Sequence, residues 1–311
     1  MAGHSSKMVI FAALAGNCLI AITKAAAAAY TGSSAMFSEA IHSAVDTGNQ
    51  GLLLYGLHRS KRTADARHPY GYGRELYFWA FVVALLIFAV GSGVSIYEGI
   101  HKIIEPQPIE NPMINFIVLG TALIFEGAAW FVAFKEFKKK VKGRNYFAAV
   151  AASKDPSIFA VLLEDTAAMF GLLVAIAGLG LGLWLDIPEL DGAASVVIGI
   201  LLATIAWVLA YETKGLLIGE GADPEVETSI RRIIAKQPEI LRVNEILSLQ
   251  NGPMDILVTL SLDFKDGIPS QDVEGAISRM ERQIRTAQPD IRKVFIEAQS
   301  WRAHNRAANS N

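Results

Sequence analysis

Long apolar runs separated by short polar breaks fill the first two thirds of the chain. A bilayer-spanning helix needs about 20 consecutive, mostly apolar residues. Six stretches meet that requirement: Met8 to Tyr30, Ala35 to Leu57, Leu76 to Ile100, Pro112 to Phe134, Ser157 to Leu185 and Leu190 to Tyr211. The pattern predicts an all-α bundle of six transmembrane helices. The breaks after Tyr30 and Leu185 are short, so spans one and two, and spans five and six, are expected as antiparallel hairpins. The first run follows only His4 and Lys7, is too long for a signal peptide's apolar region and contains no small-residue cleavage site, so it is read as a retained span.

Beyond Thr213 the pattern shortens. Asp223, Pro224 and Glu225 form a helix start, with an acceptor at the cap and proline in the first turn. Val226, Ile230, Ile233 and Ile234 then give one apolar helix face. Ile246 to Leu249 and Ile256 to Leu262 read as strands, joined through Asn251, Gly252 and Pro253. A second helix from Ser270 carries Val273, Ile277, Met280 and Ile284, and Val294 and Ile296 mark a last strand. The order αββαβ predicts a small two-layer α+β domain. The expected division is 1–213 for the membrane domain and 214–311 for the soluble one.

Composition sharpens this picture. With 52% hydrophobic and 19% charged residues, a water-soluble single domain is ruled out. A net charge of -2 argues against nucleic acid as a partner, and a single cysteine rules out an internal disulfide or a thiolate zinc knuckle. Arg59, Lys61, Arg62, Arg67 and Arg74 follow span two; Lys135, Lys138, Lys139, Lys140, Lys142, Arg144 and Lys154 follow span four. The opposite loops hold only Lys102, so the positive-inside rule places both termini in the cytoplasm. A bacterial inner membrane is expected ahead of an organelle membrane.

Ionisable groups in hydrocarbon are expensive and mark function by default. In span two, Glu39, His42, Asp46, Asn49 and Gln50 fall along one helical stripe. His42 and Asp46, four residues apart, can direct an imidazole and a carboxylate at one point, as a zinc site requires. The plainer alternative is an interhelical hydrogen-bond seam. Glu164 and Asp165 in span five are adjacent carboxylates that need a cation, protons or a basic partner, and Lys24 is the basic residue available within the spans. Asn17 and Lys24 share a face of span one, suited to a salt bridge or to orienting the acidic site. Glu126 in span four fits either a proton carrier or a wall of an aqueous vestibule. Gly91 and Gly93, with Ser92 and Ser95, suggest a close helix contact.

These motifs resemble the cation diffusion facilitator family of divalent metal transporters. The resemblance is carried by Gly32 to Met36, Ser38 to Asp46, Asp65 to Arg74 and Leu190 to Ser195, and covers essentially the whole chain. Phe37 to Gln50 and Leu162 to Thr166 look most like the branch containing the mitochondrial zinc transporter nine. The resemblance implies a homodimer of six-helix protomers with a metallochaperone-like cytoplasmic domain, exchanging a divalent metal for protons through spans two and five. It also shows departures. Val161 stands where span five usually carries histidine, and Tyr72 replaces the second histidine of a secondary site to which Asp65 and His68 correspond. The soluble domain has no histidine before His304 and no cysteine, so the family's dinuclear zinc cluster there does not carry over.

The expected function is a secondary active exporter of divalent transition metal, with zinc first and iron(II), cobalt or manganese as alternatives, driven by protons. The metal is substrate, and no cofactor is implied. The expected ligands are His42, Asp46, Glu164 and Asp165, with Glu164 filling the gap left by Val161. Asp65, His68, Glu39, Asn49 and Glu126 are secondary candidates. The rival classes are a membrane-embedded metalloenzyme, disfavoured because no hydrolase motif such as HExxH is present, and a non-transporting membrane receptor or regulator.

Overall fold

The computed structural model describes residues 2–140 and 154–308. Lys142 and Arg144 of the expected basic loop lie outside the described residues. The chain divides into two compact units, Met1–His58 with Leu76–Lys214, and Arg59–Glu75 with Gly215–Asn311. The units part between Lys214 and Gly215, and the connection after span two belongs with the C-terminal unit.

The first unit is helical: α1 (Ala2–Thr31), α2 (Ser34–Ser60), α3 (Glu75–Leu86), a π-helical turn (Ile87–Ser92), α4 (Gly93–Ile104), α5 (Pro112–Lys140), α6 (Pro156–Leu185) and α7 (Glu189–Ile218). By length and composition, four stretches among the described residues are able to cross a membrane: Glu75–Ile104, Pro112–Val132, Phe159–Leu185 and Glu189–Ile218. Helices α1 and α2 are as long, at 30 and 27 residues. Helix α2 owes its lower hydropathy to the polar stripe it turns inward. The outer surface is apolar, with Leu19, Phe88, Phe125, Trp184 and Trp207 exposed, an arrangement that suits lipid and not water.

Local chemistry sets the helix ends. The Asp155 side chain caps α6, accepting from Ser157 N at 3.1 Å, and Pro156 opens the first turn. Gly32, at φ +68°, turns the chain between α1 and α2, and Ser33 Oγ then accepts from Met36 N at 3.1 Å. Helix α5 continues to Lys140, so Lys135 and Lys138 lie on its last turns and not in a loop. Lys102, assigned to a loop from sequence, sits buried in the last turn of α4 and donates to Gly32 O at 2.8 Å.

Helices α4 and α7 meet backbone to backbone. A Cβ on Gly99 would lie 2.6 Å from Gly192 O, and one on Gly192 would lie 2.7 Å from Gly99 O. The close contact runs through these glycines and takes in part of the expected set. A Cβ on Gly91 would lie 3.4 Å from Leu202 of α7, and one on Gly199 would lie 3.1 Å from Ser92 O, while Gly93 meets only Phe88 O of the preceding π-helical turn, at 3.8 Å.

The second unit contains α8 (Pro224–Ile234), β1 (Ile240–Gly252), β2 (Asp255–Phe264), α9 (Ser270–Ala287), β3 (Ile291–Ala298) and α10 (Trp301–Ala308). The sheet order is β1-β2-β3, with β1 antiparallel to β2 and β2 parallel to β3. A parallel pair requires a crossover, which α9 provides. Ile230 and Ile234 from α8, Met280 and Ile284 from α9, and Val258, Leu260 and Leu262 from β2 form the core. Asp223 caps α8 by accepting from Glu225 N at 2.9 Å. Leu241, Leu247 and Phe295 remain exposed. Helix α10 has no counterpart in the sequence reading, its eight residues being too short to carry a periodic signal.

Candidate functional site

The stripe on α2 faces inward. Glu39, His42 and Asn49 are buried, and Asp46 and Gln50 are half-buried. The Nδ1 of His42 lies 3.5 Å from Asp46 Oδ1, as the four-residue spacing on one helix allows. Neither ring nitrogen of His42 has a hydrogen-bond partner. On α6, Glu164 is buried and accepts from Asn49 Nδ2 at 3.1 Å, while Asp165 is half-buried.

A cavity of about 590 Å³ joins these elements. Its wall includes Asn17 from α1, Ser43, Asp46 and Gln50 from α2, Glu126 from α5, and Val161, Glu164 and Asp165 from α6. Asp46, Glu164 and Asp165 thus share one chamber although 118 residues separate Asp46 from Glu164 in sequence. His42 is not part of the wall. Among the described residues, no three His, Cys, Asp or Glu side chains converge tightly enough as they stand to hold one ion.

Lys24 pairs with Glu39 at 3.1 Å and Glu126 at 2.8 Å, and donates to Ser43 Oγ at 2.9 Å. Glu39 also packs against α6 at Gly171, where a Cβ would collide with its Oε1. The secondary candidates Glu39 and Glu126 are therefore drawn towards α1, and Asn49 is drawn towards Glu164.

The remaining candidates, Asp65 and His68, lie in the second unit. Asp65 Oδ1 accepts from Arg67 N at 3.0 Å and His68 N at 2.7 Å, and Oδ2 accepts from the Tyr72 hydroxyl at 2.7 Å. That hydroxyl, together with the backbone donors, holds the Asp65 carboxyl below its usual range. Tyr72, which replaces a histidine of the family pattern, fastens this loop.

The family motifs Gly32 to Met36 and Leu190 to Ser195 meet each other. Asp191, in the first turn of α7, accepts from Ser33 Oγ at 2.6 Å, Ser34 N at 2.6 Å and Ser34 Oγ at 3.0 Å. Ser195 bonds Ser38 and donates to Ser95 O at 2.8 Å. This seam fixes α2 against α7 and α4. Ser95 was expected at a close helix contact; Asp191, Ser33, Ser34, Ser38 and Ser195 had no role assigned from sequence, and their signal was a carboxylate and hydroxyls inside apolar runs.

A lipid-facing helical bundle enclosing an acidic chamber defines a class of membrane proteins that handle cations. Residues 10–218 match the cation efflux transmembrane domain, and the chain belongs to the cation efflux, or cation diffusion facilitator, family. It is 34% identical over 289 residues to the mitochondrial proton-coupled zinc antiporter SLC30A9 of Xenopus laevis, covering 90% of this chain and 51% of that protein. Metal tolerance protein C4 of Arabidopsis thaliana is 31% identical, over 86% of this chain and 57% of its own length. The manganese efflux system protein MneP of Bacillus subtilis is 26% identical, over 95% and 96% respectively. The chain spans about half the length of the SLC30A9 relative. The SLC30A9 and MneP relatives, a zinc antiporter and a manganese efflux protein by name, are transporters and not enzymes.

Proposed function

We propose that this protein is a secondary active transporter that exports a divalent transition metal, zinc foremost, in exchange for protons. The observation that carries the reading is the shared cavity of Asp46, Glu164 and Asp165, with the unpartnered imidazole of His42 one helical turn from Asp46. A single ion held by one nitrogen and three carboxylates would require Asp46, Glu164 and Asp165 to turn within the chamber and His42 to swing into it from the adjoining turn of α2. Imidazole favours zinc, cobalt or iron over magnesium and calcium, while the oxygen-rich remainder keeps manganese within range. The SLC30A9 and MneP names point to zinc and manganese in the same order.

Coupling follows from ligand chemistry. Imidazole and carboxylates bind metal in their deprotonated forms, so loading releases protons and unloading recaptures them. The proposed frame is a homodimer of six-span protomers with both termini cytoplasmic, in a bacterial inner membrane, and with rocking helices exposing the chamber to each side in turn. The test is zinc flux in vesicles of purified protein under an imposed pH gradient. Wild type should accumulate zinc; His42→Ala and Asp46→Ala should not, while keeping wild-type size and thermal unfolding. Near-normal flux in Asp46→Ala would overturn the assignment.

A further inference from the structure

Lys24 is fully buried, and the three donors of its ammonium are matched by three acceptors: Glu39 Oε2, Ser43 Oγ and Glu126 Oε1. The acceptors come from two helices, α2 and α5, and surround the nitrogen at 2.8 to 3.1 Å. Both carboxylates retain a second oxygen, Glu39 Oε1 and Glu126 Oε2, that is buried and has no hydrogen-bond partner. Ser43 and Glu126 also line the chamber that holds Asp46, Glu164 and Asp165. One chamber and its immediate wall therefore carry two groups of carboxylates, one already built around a cation that belongs to the chain.

Carboxylates gathered away from water need compensating charge, and removing one partner of such a cluster leaves the others exposed to that cost. We propose that Lys24 is a tethered cation occupying a second cation position of the chamber, and that it thereby limits the metal load to one ion per protomer. Its ammonium holds Glu39 and Glu126 away from the transported ion and leaves His42, Asp46, Glu164 and Asp165 as the donor set. The position it fills is lined by oxygen alone, a donor set suited to manganese or magnesium more than to zinc. The inference deepens the proposed transport site and rests on that reading for the identity of the first ion.

The test counts metal on the purified full-length protein. Wild type, equilibrated with zinc or with manganese, should bind one ion per protomer that Asp46→Ala abolishes. Lys24→Gln, which keeps a polar side chain one bond shorter but removes its charge, should bind one further manganese ion. That ion should survive Asp46→Ala and be lost in Lys24→Gln/Glu126→Gln. Lys24→Arg should not gain it. Lys24→Met provides a second charge-free variant, and manganese should raise its thermal unfolding midpoint.

An unchanged manganese count in folded Lys24→Gln and Lys24→Met would overturn the proposal. A wild-type protein that already binds a Glu126-dependent ion would overturn it without any lysine variant. Failure of wild type to bind zinc, with the additional manganese still appearing in Lys24→Gln, would remove the transport-site reading and leave the role of Lys24 standing.

Discussion

Asn49 Nδ2 donates to Glu164 Oε1 at 3.1 Å, tying α2 to α6 where the two acidic groups of the site face each other. The bond fixes one oxygen of Glu164 and, at the proposed transport site, leaves the other for the ion. Partners that orient a ligand typically account for 10- to 100-fold in metal affinity. Asn49→Ala should weaken zinc binding by about that factor while leaving the fold intact, as measured by calorimetric titration. Unchanged affinity would show that Glu164 is oriented by other contacts.

Val161 and Glu164 line the same cavity from adjacent turns of α6. Glu164→Gln keeps the shape of the side chain and its bond to Asn49 but removes its charge, and should lower metal affinity. Val161→His in that background should partly restore zinc transport and narrow the range of metals carried. Competition assays with zinc, cobalt and manganese read both effects. Unaltered affinity in Glu164→Gln, with only the pH profile of transport changed, would leave Asp165 as the ligand from α6.

Asp191 receives three hydrogen bonds from Ser33 and Ser34 at the start of α2, where the positive end of the helix also favours a carboxylate. Asp191→Ala leaves those buried donors without an acceptor, at about 1–3 kcal/mol for each one orphaned. A clearly lowered thermal unfolding midpoint is expected in detergent. Asp191→Asn, which keeps an acceptor oxygen, should fall between that variant and wild type.

The second unit offers exposed Leu241, Leu247 and Phe295 on its sheet for association. Its core is built of Ile, Leu, Val and Met side chains. Residues 214–311 produced alone should run at the same oligomeric size with and without chelator in analytical ultracentrifugation. A chelator-induced shift to a smaller species would show that metal bridges the copies.

The length of the apolar runs marked the membrane helices, and periodicity carried the αββαβ order of the second unit up to α10 and the stripe from Glu39 to Gln50, because burial in lipid or in a core leaves its mark in local sequence. The cap at Asp223 was equally legible, since its donor and acceptor lie two residues apart. Contacts between distant segments were not. Lys24 reads as a lone intramembrane base, yet its ammonium is shared between Glu39 and Glu126, the latter 102 residues away. Asp191 has no role legible in the sequence but closes a seam with Ser33 and Ser34, and the segment Arg59–Glu75 joins a unit that resumes only at Gly215. Helix packing decides these pairings. A buried charge takes whichever opposite charge or hydrogen-bond donor the neighbouring helix brings within about 3 Å, and sequence spacing holds no record of that distance.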